Sequence, residues 1–165
     1  MGKIKVALAG IGNNASSFVQ GMFYYDGDSD PEKRPGLVHY EIGGYKFSDF
    51  ELVAAFDVDK NKVGKDVSEA IFTPPTNTPK WIDVPRLGVK VMMGPLKDSL
   101  DSETLKTVIK PADQKPVDVA EVLKKTGADV FVNFLPTGTV DAVRAYADAC
   151  IKDAKVAFCN GMPTF

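Results

Sequence analysis

The sequence predicts an open, doubly wound α/β fold on a parallel sheet of about five strands. Three observations predict it. Short apolar, β-branched runs recur along the chain, and polar or helix-patterned stretches separate them. The runs are apolar throughout, as strands covered on both faces of a parallel sheet must be. The first run, "IKVALA", stops in a glycine-rich turn, "GIGNNASS", that leads into helical spacing. Strands alternating with helices pair in parallel through crossovers.

The elements follow in order. Residues 4–9 form a first strand ending at Gly10. Residues 14–24 carry Ala15, Phe18, Val19, Met22 and Phe23 at three-and-four spacing, one face of a helix. "DGDSDPEKRP" is a polar, turn-rich loop. Residues 37–47 alternate around Gly43-Gly44, either as a small hairpin or as a helix end with a glycine cap. With the loop, they form an insertion between helix one and strand two. Residues 51–58, "ELVAAFDV", are the second strand, and residues 62–71 are a short helix. Proline and threonine make residues 72–85 irregular. Residues 89–93 are the third strand, and residues 97–113 are polar and weakly periodic. A helix over 117–125 turns Val119, Val122 and Leu123 inward and stops at Gly127. Residues 128–135 are the fourth strand. Pro136-Thr137-Gly138-Thr139 then turns into a helix over 140–152, with Ala142, Val143, Tyr146 and Cys150 along one side. Residues 155–159 are the fifth strand.

Composition sets outer bounds. A chain of 165 residues fits one domain, read here as a single dinucleotide-binding unit over residues 1–165. The net charge of −2 gives no reason to expect nucleic acid or an anionic membrane as partner. No apolar run approaches the roughly 18 residues of a membrane span. "MGKIKVALAG" reads as the first strand rather than a leader, and Val6 stands where a myristoylation signal needs serine or threonine. Cys150 and Cys159 form neither a disulfide framework nor a metal motif, which favours a reducing cytoplasm.

Gly10-Ile11-Gly12-Asn13-Asn14-Ala15 matches the dinucleotide fingerprint with alanine last, in a Rossmann-like context of strand, turn and helix. Gly10 permits the tight turn, and Gly12 lets backbone approach a pyrophosphate. Ala15 allows close strand–helix packing. The helix start offers free N–H groups and a positive dipole end. Asn13, Asn14, Ser16 and Ser17 are possible further donors. The fingerprint's acidic partner is delayed by the insertion to "FDVD". Asp57 closes the apolar run and is read as the ribose ligand, its charge favouring NAD over NADP. Asp59 is read as the cap of the next helix, and the alternative makes both aspartates caps. Pro136, Thr137, Gly138 and Thr139, with Asn160, Gly161 and Met162, belong on the same sheet edge. Thr137 or Thr139 is equally an ordinary N-cap.

Catalytic groups are scarce. His39 lies in the insertion and reads as a surface or packing residue. Cys159 ends an apolar strand without a nearby histidine and reads as a buried, inert thiol. No metal-ligand spacing is visible.

"GIGNNAS", "VAAFDVDKNKVGKDVSEAIF", "FVNFLPTGT" and "FCNGMPTF" resemble the myo-inositol-1-phosphate synthase family in its archaeal and bacterial form. The resemblance runs over nearly the whole chain and corresponds to the front part of the family's sequence. It implies NAD bound in a Rossmann domain. It also implies conversion of glucose 6-phosphate to inositol 1-phosphate by oxidation, enolisation, aldol closure and reduction with the same NADH. Gly10, Gly12, Asn13, Asn14 and Asp57 would hold the cofactor, with Pro136 and Thr137 nearer its middle or nicotinamide end. The family's catalytic lysines, phosphate site and most tetramer contacts belong to a domain beyond this chain. The expectation is therefore a fragment, inactive alone, of a cytoplasmic homotetramer. Two other readings stay open: another NAD-dependent dehydrogenase, and a non-enzymatic nucleotide-binding module.

Overall fold

In the computed structural model, which describes residues 2–26 and 36–162, the five expected strands form one all-parallel sheet. β1 (Ile4–Ala9) lies at its centre, between β2 (Phe50–Asp57) and β4 (Val130–Asn133). β3 (Val91–Met93) and β5 (Ala157–Asn160) are the edges. The order β3-β2-β1-β4-β5 reverses direction between β1 and β4. Such a reversal opens a crevice beyond the carboxyl ends of the strands, where open α/β sheets take their ligands.

Five α-helices accompany the strands among the described residues: α1 (Asn13–Tyr24), α2 (Val67–Ala70), α3 (Glu103–Val108), α4 (Val119–Thr126) and α5 (Val140–Asp148). The two-residue period of β1 divides the core. Val6 and Leu8 pack with Ala15, Val19 and Met22 of α1 and with Val67 and Ala70 of α2. Ala7 and Ala9 face the opposite core, with Leu123 of α4 and Ala142, Val143 and Tyr146 of α5. Alanine on that face leaves room for rings. Phe131 stands 5.1 Å from Tyr146, 5.9 Å from Phe56 and 5.8 Å from Phe158 between centroids. In β2 the register shifts, so that Val6 pairs Leu52 and Ala7 pairs Ala54. The extra residue, Val53, turns with Ala54 toward the ring-lined core.

Several boundaries move for tertiary reasons. The helix expected over 62–71 shrinks to α2. Gly64, at φ +90°, donates to the Val91 carbonyl, and Val91 N–H returns a bond to Lys65. Asp66 bridges Lys90, so the segment before α2 is extended against β3's approach. The helix expected over 140–152 changes character at Ala149–Ala154, which is a π-helical turn closed by Lys155 at φ +60°. Val122 of α4 packs against the same core as Val119 and Leu123 but stays half-buried. Gly127 ends α4 in the left-handed conformation, as expected. Within 37–47 the hairpin reading holds. Ile42 and Tyr45 exchange two backbone bonds of 3.0 Å around Gly43 and Gly44, both at positive φ. Of the polar loop expected over 26–35, residues 27–35 lie outside the described residues, as do residues 163–165. Cys159 is exposed, not buried, because it sits on the open face of edge strand β5. No helix among the described residues is long and apolar enough to cross a membrane.

Cys150 is the buried thiol, packed among Val143, Tyr146 and Val156, and burial pushes it from 9.0 up to about 12. The unfolded thiol ionises near 9 while the folded one keeps its proton. Stability is therefore lost as pH rises through this window, by about 1.4 kcal/mol per pH unit for one proton. Burial also raises Tyr146. Urea midpoints measured from about pH 9 to about pH 11 should fall steeply, and Cys150→Ala should flatten part of that slope.

Candidate functional site

Gly10 is fixed by two independent demands. Its φ is +80°, and a Cβ there would lie 2.7 Å from the Phe134 carbonyl oxygen, on the chain leaving β4. Its N–H bonds the Phe56 carbonyl of β2 at 2.9 Å. The glycine thus lets three strand ends meet. Gly12 differs. It is the N-cap of α1 at φ −103°, and a Cβ would meet nothing within 4 Å. That side is open. α1 has no side-chain cap and no acidic residue in its first turn, so the positive end of the dipole faces the crevice uncompensated.

Asp57 ties this turn to β2. One carboxylate oxygen accepts the Ile11 N–H at 2.7 Å, and the other accepts the Val58 and Asp59 N–H groups at 2.7 and 2.9 Å. Lys62 braces the turn from the opposite side. It is 3 % exposed, and its ammonium donates to the Ile11 carbonyl and, at 2.9 Å, to the Thr76 hydroxyl. Burial pushes Lys62 down, and the charges of Asp57 and Asp59 oppose that shift. Burial pushes Asp59 up and the Asp57 charge adds to this, while the Asn61 N–H bond and the Lys62 and Lys60 charges oppose it. Asp59 caps no helix. Its Oδ1 accepts the Asn61 N–H in a turn, and Asp66 caps α2 instead.

A cleft of about 190 Å³ runs along these strand ends. Gly10, Gly12, Asn13, Asp57 and Pro136 border it, with Asp59, Lys62 and Ser99, which were not singled out as binding residues. Several of the expected binding residues have contacts within the chain. Ala15 is buried and acts by packing. Ser16 is buried, and its hydroxyl oxygen accepts from the Gln20 amide. The Asn13 side-chain oxygen accepts the Asn77 and Thr78 N–H groups and the Thr78 hydroxyl. Gln20 receives Trp81 N–H and donates to the Pro79 carbonyl. Together they strap residues 76–81 across α1, placing Pro75 and Thr76 on the cleft wall. Asn14 reaches Met162 at 3.1 Å.

On the β4 side, Thr137 and Gly138 are exposed and do not border the cleft. The Thr139 hydroxyl donates to the Pro136 carbonyl rather than capping α5. The start of α5 is held by Asp98, which accepts the Asp141 and Ala142 N–H groups at 2.8 Å each. Asn160 pairs with buried Asn133 at 2.7 Å, joining the tips of β4 and β5 away from the cleft. Lys62 carries no short-range signal, since Ile11 and Thr76 lie 51 and 14 residues away. His39 is exposed and borders no part of the cleft. Among the described residues no cluster of histidine, cysteine or carboxylate side chains could hold a metal ion.

No family model matches the chain. It is 47 % identical over 164 residues to an inositol-3-phosphate synthase of Mycolicibacterium smegmatis, covering 99 % of this chain and 45 % of that protein. An inositol-3-phosphate synthase of Corynebacterium glutamicum is 43 % identical over 162 residues, 98 % of this chain and 44 % of its own length. The chain thus spans less than half the length of these curated relatives. Among solved structures, Ari2 superimposes with TM-score 0.78 at 33 % identity, covering 99 % of this chain and 46 % of that one. A myo-inositol-1-phosphate synthase-related protein of Thermotoga maritima gives TM-score 0.65 at 22 % identity, covering 99 % and 49 %, a likeness of fold. The resemblance to inositol-phosphate synthases extends over almost the whole chain.

The two glycines of the turn should separate on substitution. Gly10→Ala forces a left-handed Cβ against backbone and should cost about 1–3 kcal/mol or more. Gly12→Ala should change stability by less than about 1 kcal/mol while closing the open approach to α1. Urea unfolding of both variants checks the contrast.

Proposed function

We propose that this chain is the NAD-binding part of an inositol-phosphate synthase, and that the whole protein converts glucose 6-phosphate to an inositol phosphate. The observation that carries the reading is the 43–47 % identity, over nearly all of the chain, to proteins named inositol-3-phosphate synthase. The residues at the sheet's switch point fit the cofactor. The open side of Gly12 and the uncapped start of α1 suit a pyrophosphate.

Asp57 suits a ribose. Its Oδ1 already accepts two N–H groups, but Oδ2 accepts only that of Ile11 and keeps a lone pair for a hydroxyl. The carboxylate opposes a 2′-phosphate at the same place, favouring NAD over NADP. Lys62 spends two of its three N–H groups on the Ile11 carbonyl and the Thr76 hydroxyl. Its task is to keep the turn in shape. When bound, NAD supplies a hydride acceptor whose hydride returns to the substrate later in the same turnover, leaving no net redox change. The chain's own part is to bind and orient. We assign the acid–base groups and the sugar-phosphate site to the remainder of the protein.

The full protein, given glucose 6-phosphate and NAD, should form inositol phosphate without accumulating NADH. Steady NADH accumulation would indicate a dehydrogenase instead, and binding without turnover a nucleotide-binding module. Asp57→Ala should weaken NAD binding by roughly tenfold or more, about one charge-assisted hydrogen bond, and narrow the preference over NADP.

A further inference from the structure

Three consecutive peptide planes make the turn between β1 and α1, and each has its own holder. The Asp57 carboxylate accepts the Ile11 N–H at 2.7 Å, which fixes the Gly10–Ile11 plane. The Gly12 carbonyl accepts the Ser16 N–H at 2.9 Å, which fixes the Gly12–Asn13 plane. Between them, the Ile11 carbonyl accepts the Lys62 ammonium. That ammonium is 3 % exposed by residue, and both its bonds go to neutral oxygens, of Ile11 and Thr76. Burying a cation is costly, and a neutral side chain would fill the same space without that cost. The charge is therefore accounted for by what it holds.

The Ile11–Gly12 peptide is trans, and a trans peptide points its C=O and N–H in opposite directions. With the Ile11 carbonyl on the buried ammonium, the Gly12 N–H points away from it. Half a rotation of this plane would exchange the two groups. Gly12 φ would then move from −103° to a positive value. Most residues resist such a move, but glycine does not. The missing Cβ that leaves α1 approachable thus also removes the steric brake on a flip. Gly12 is the N-cap, so a turned oxygen would lie beside the uncapped, positive start of α1 and be drawn to it.

We infer that Lys62 is a positioning residue that locks the Ile11–Gly12 peptide, so that the turn offers a pyrophosphate an N–H and not a carbonyl oxygen. The inference rests on the NAD reading and adds to it a two-state element, the peptide plane, with the residue that sets its state. Asp57 and Lys62 act on one residue from opposite sides, the carboxylate on the Ile11 N–H and the ammonium on its carbonyl. The strap joins in, because Thr76 holds the ammonium and Asn13 holds the Asn77 and Thr78 N–H groups. A methionine at position 62 would leave the inward carbonyl without its donor, and an unmatched buried acceptor favours the turned state.

Calorimetry and crystallography of the full protein, as wild type and Lys62→Met, test it. Lys62→Met should bind NAD at least about tenfold more weakly, whereas adenosine, which has no phosphate, should change by less than about twofold. Crystals of nucleotide-free Lys62→Met should show the Ile11 carbonyl turned and Gly12 at positive φ. Equal losses for NAD and adenosine mean a merely structural role and overturn the inference. An unchanged NAD affinity, or a carbonyl that has not turned, overturns it as well. Should Lys62→Met not fold, Lys62→Gln takes its place, and a carbonyl that stays without a bond from the new amide overturns it. Should neither fold, the wild type with NAD decides, and a Gly12 N–H that meets no pyrophosphate oxygen overturns it. If the wild type binds no NAD, the NAD reading has failed instead. The direction of the Ile11 carbonyl in Lys62→Met then decides the lock alone.

Discussion

The site hangs on the Asp57 carboxylate. It stands at the tip of β2 and accepts the Ile11 N–H from the turn after β1 at 2.7 Å. The Gly10 N–H on the Phe56 carbonyl and the Lys62 ammonium on the Ile11 carbonyl hold the same turn beside it. The same carboxylate shapes its own loop through Val58 and Asp59. From there the constraint spreads. The fixed loop carries Asp59 to the cleft and Lys62 beneath the turn, and Lys62 in turn catches Thr76 of the strap. A carboxylate that accepts three backbone N–H groups is oriented before any ligand arrives, which lowers the cost of binding one.

The fold was largely legible because its signals are local. β1, α1, the Gly127 stop and the inward face of α5 each follow from spacing within a dozen residues. Failures occur where a partner lies far away. The pattern over 62–71 suits a helix, but β3's approach claims Gly64, Lys65 and Asp66 first. Asn13 and Asn14 look like ligand donors in the turn. Their side chains also reach the strap and Met162, 64 and 148 residues onward, contacts that no local pattern announces. Cys159 looked buried because its strand is apolar, yet β5 is an edge and one of its faces is uncovered.

Lys62 was the costliest omission. In sequence it is one lysine among many on a polar stretch. Only the fold shows that it is buried, that it bonds the central residue of the glycine turn, and that two aspartates balance its charge. The lysine and the aspartates form a small electrostatic cluster on the lining of the cleft. The cation offsets the carboxylates there, which lowers the repulsion that the proposed pyrophosphate would otherwise meet.

The helix starts sharpen this point. Asp66 caps α2, Asp118 caps α4, and Asp98 reaches 43 residues to hold α5. α3 carries Glu103 in its first turn. Each of these positive helix ends is met by one of the chain's own carboxylates. α1 is the exception among the described α-helices, with neither a side-chain cap nor an acidic residue in its first turn. An aspartate or serine at position 12 would have capped it by ordinary means. Glycine there leaves the backbone bare and the approach open. Asp57, near enough to border the same cleft, spends its oxygens on loop N–H groups rather than on the helix. Among the described residues no carboxylate meets the free N–H groups and dipole of α1, which is what the proposed pyrophosphate would use.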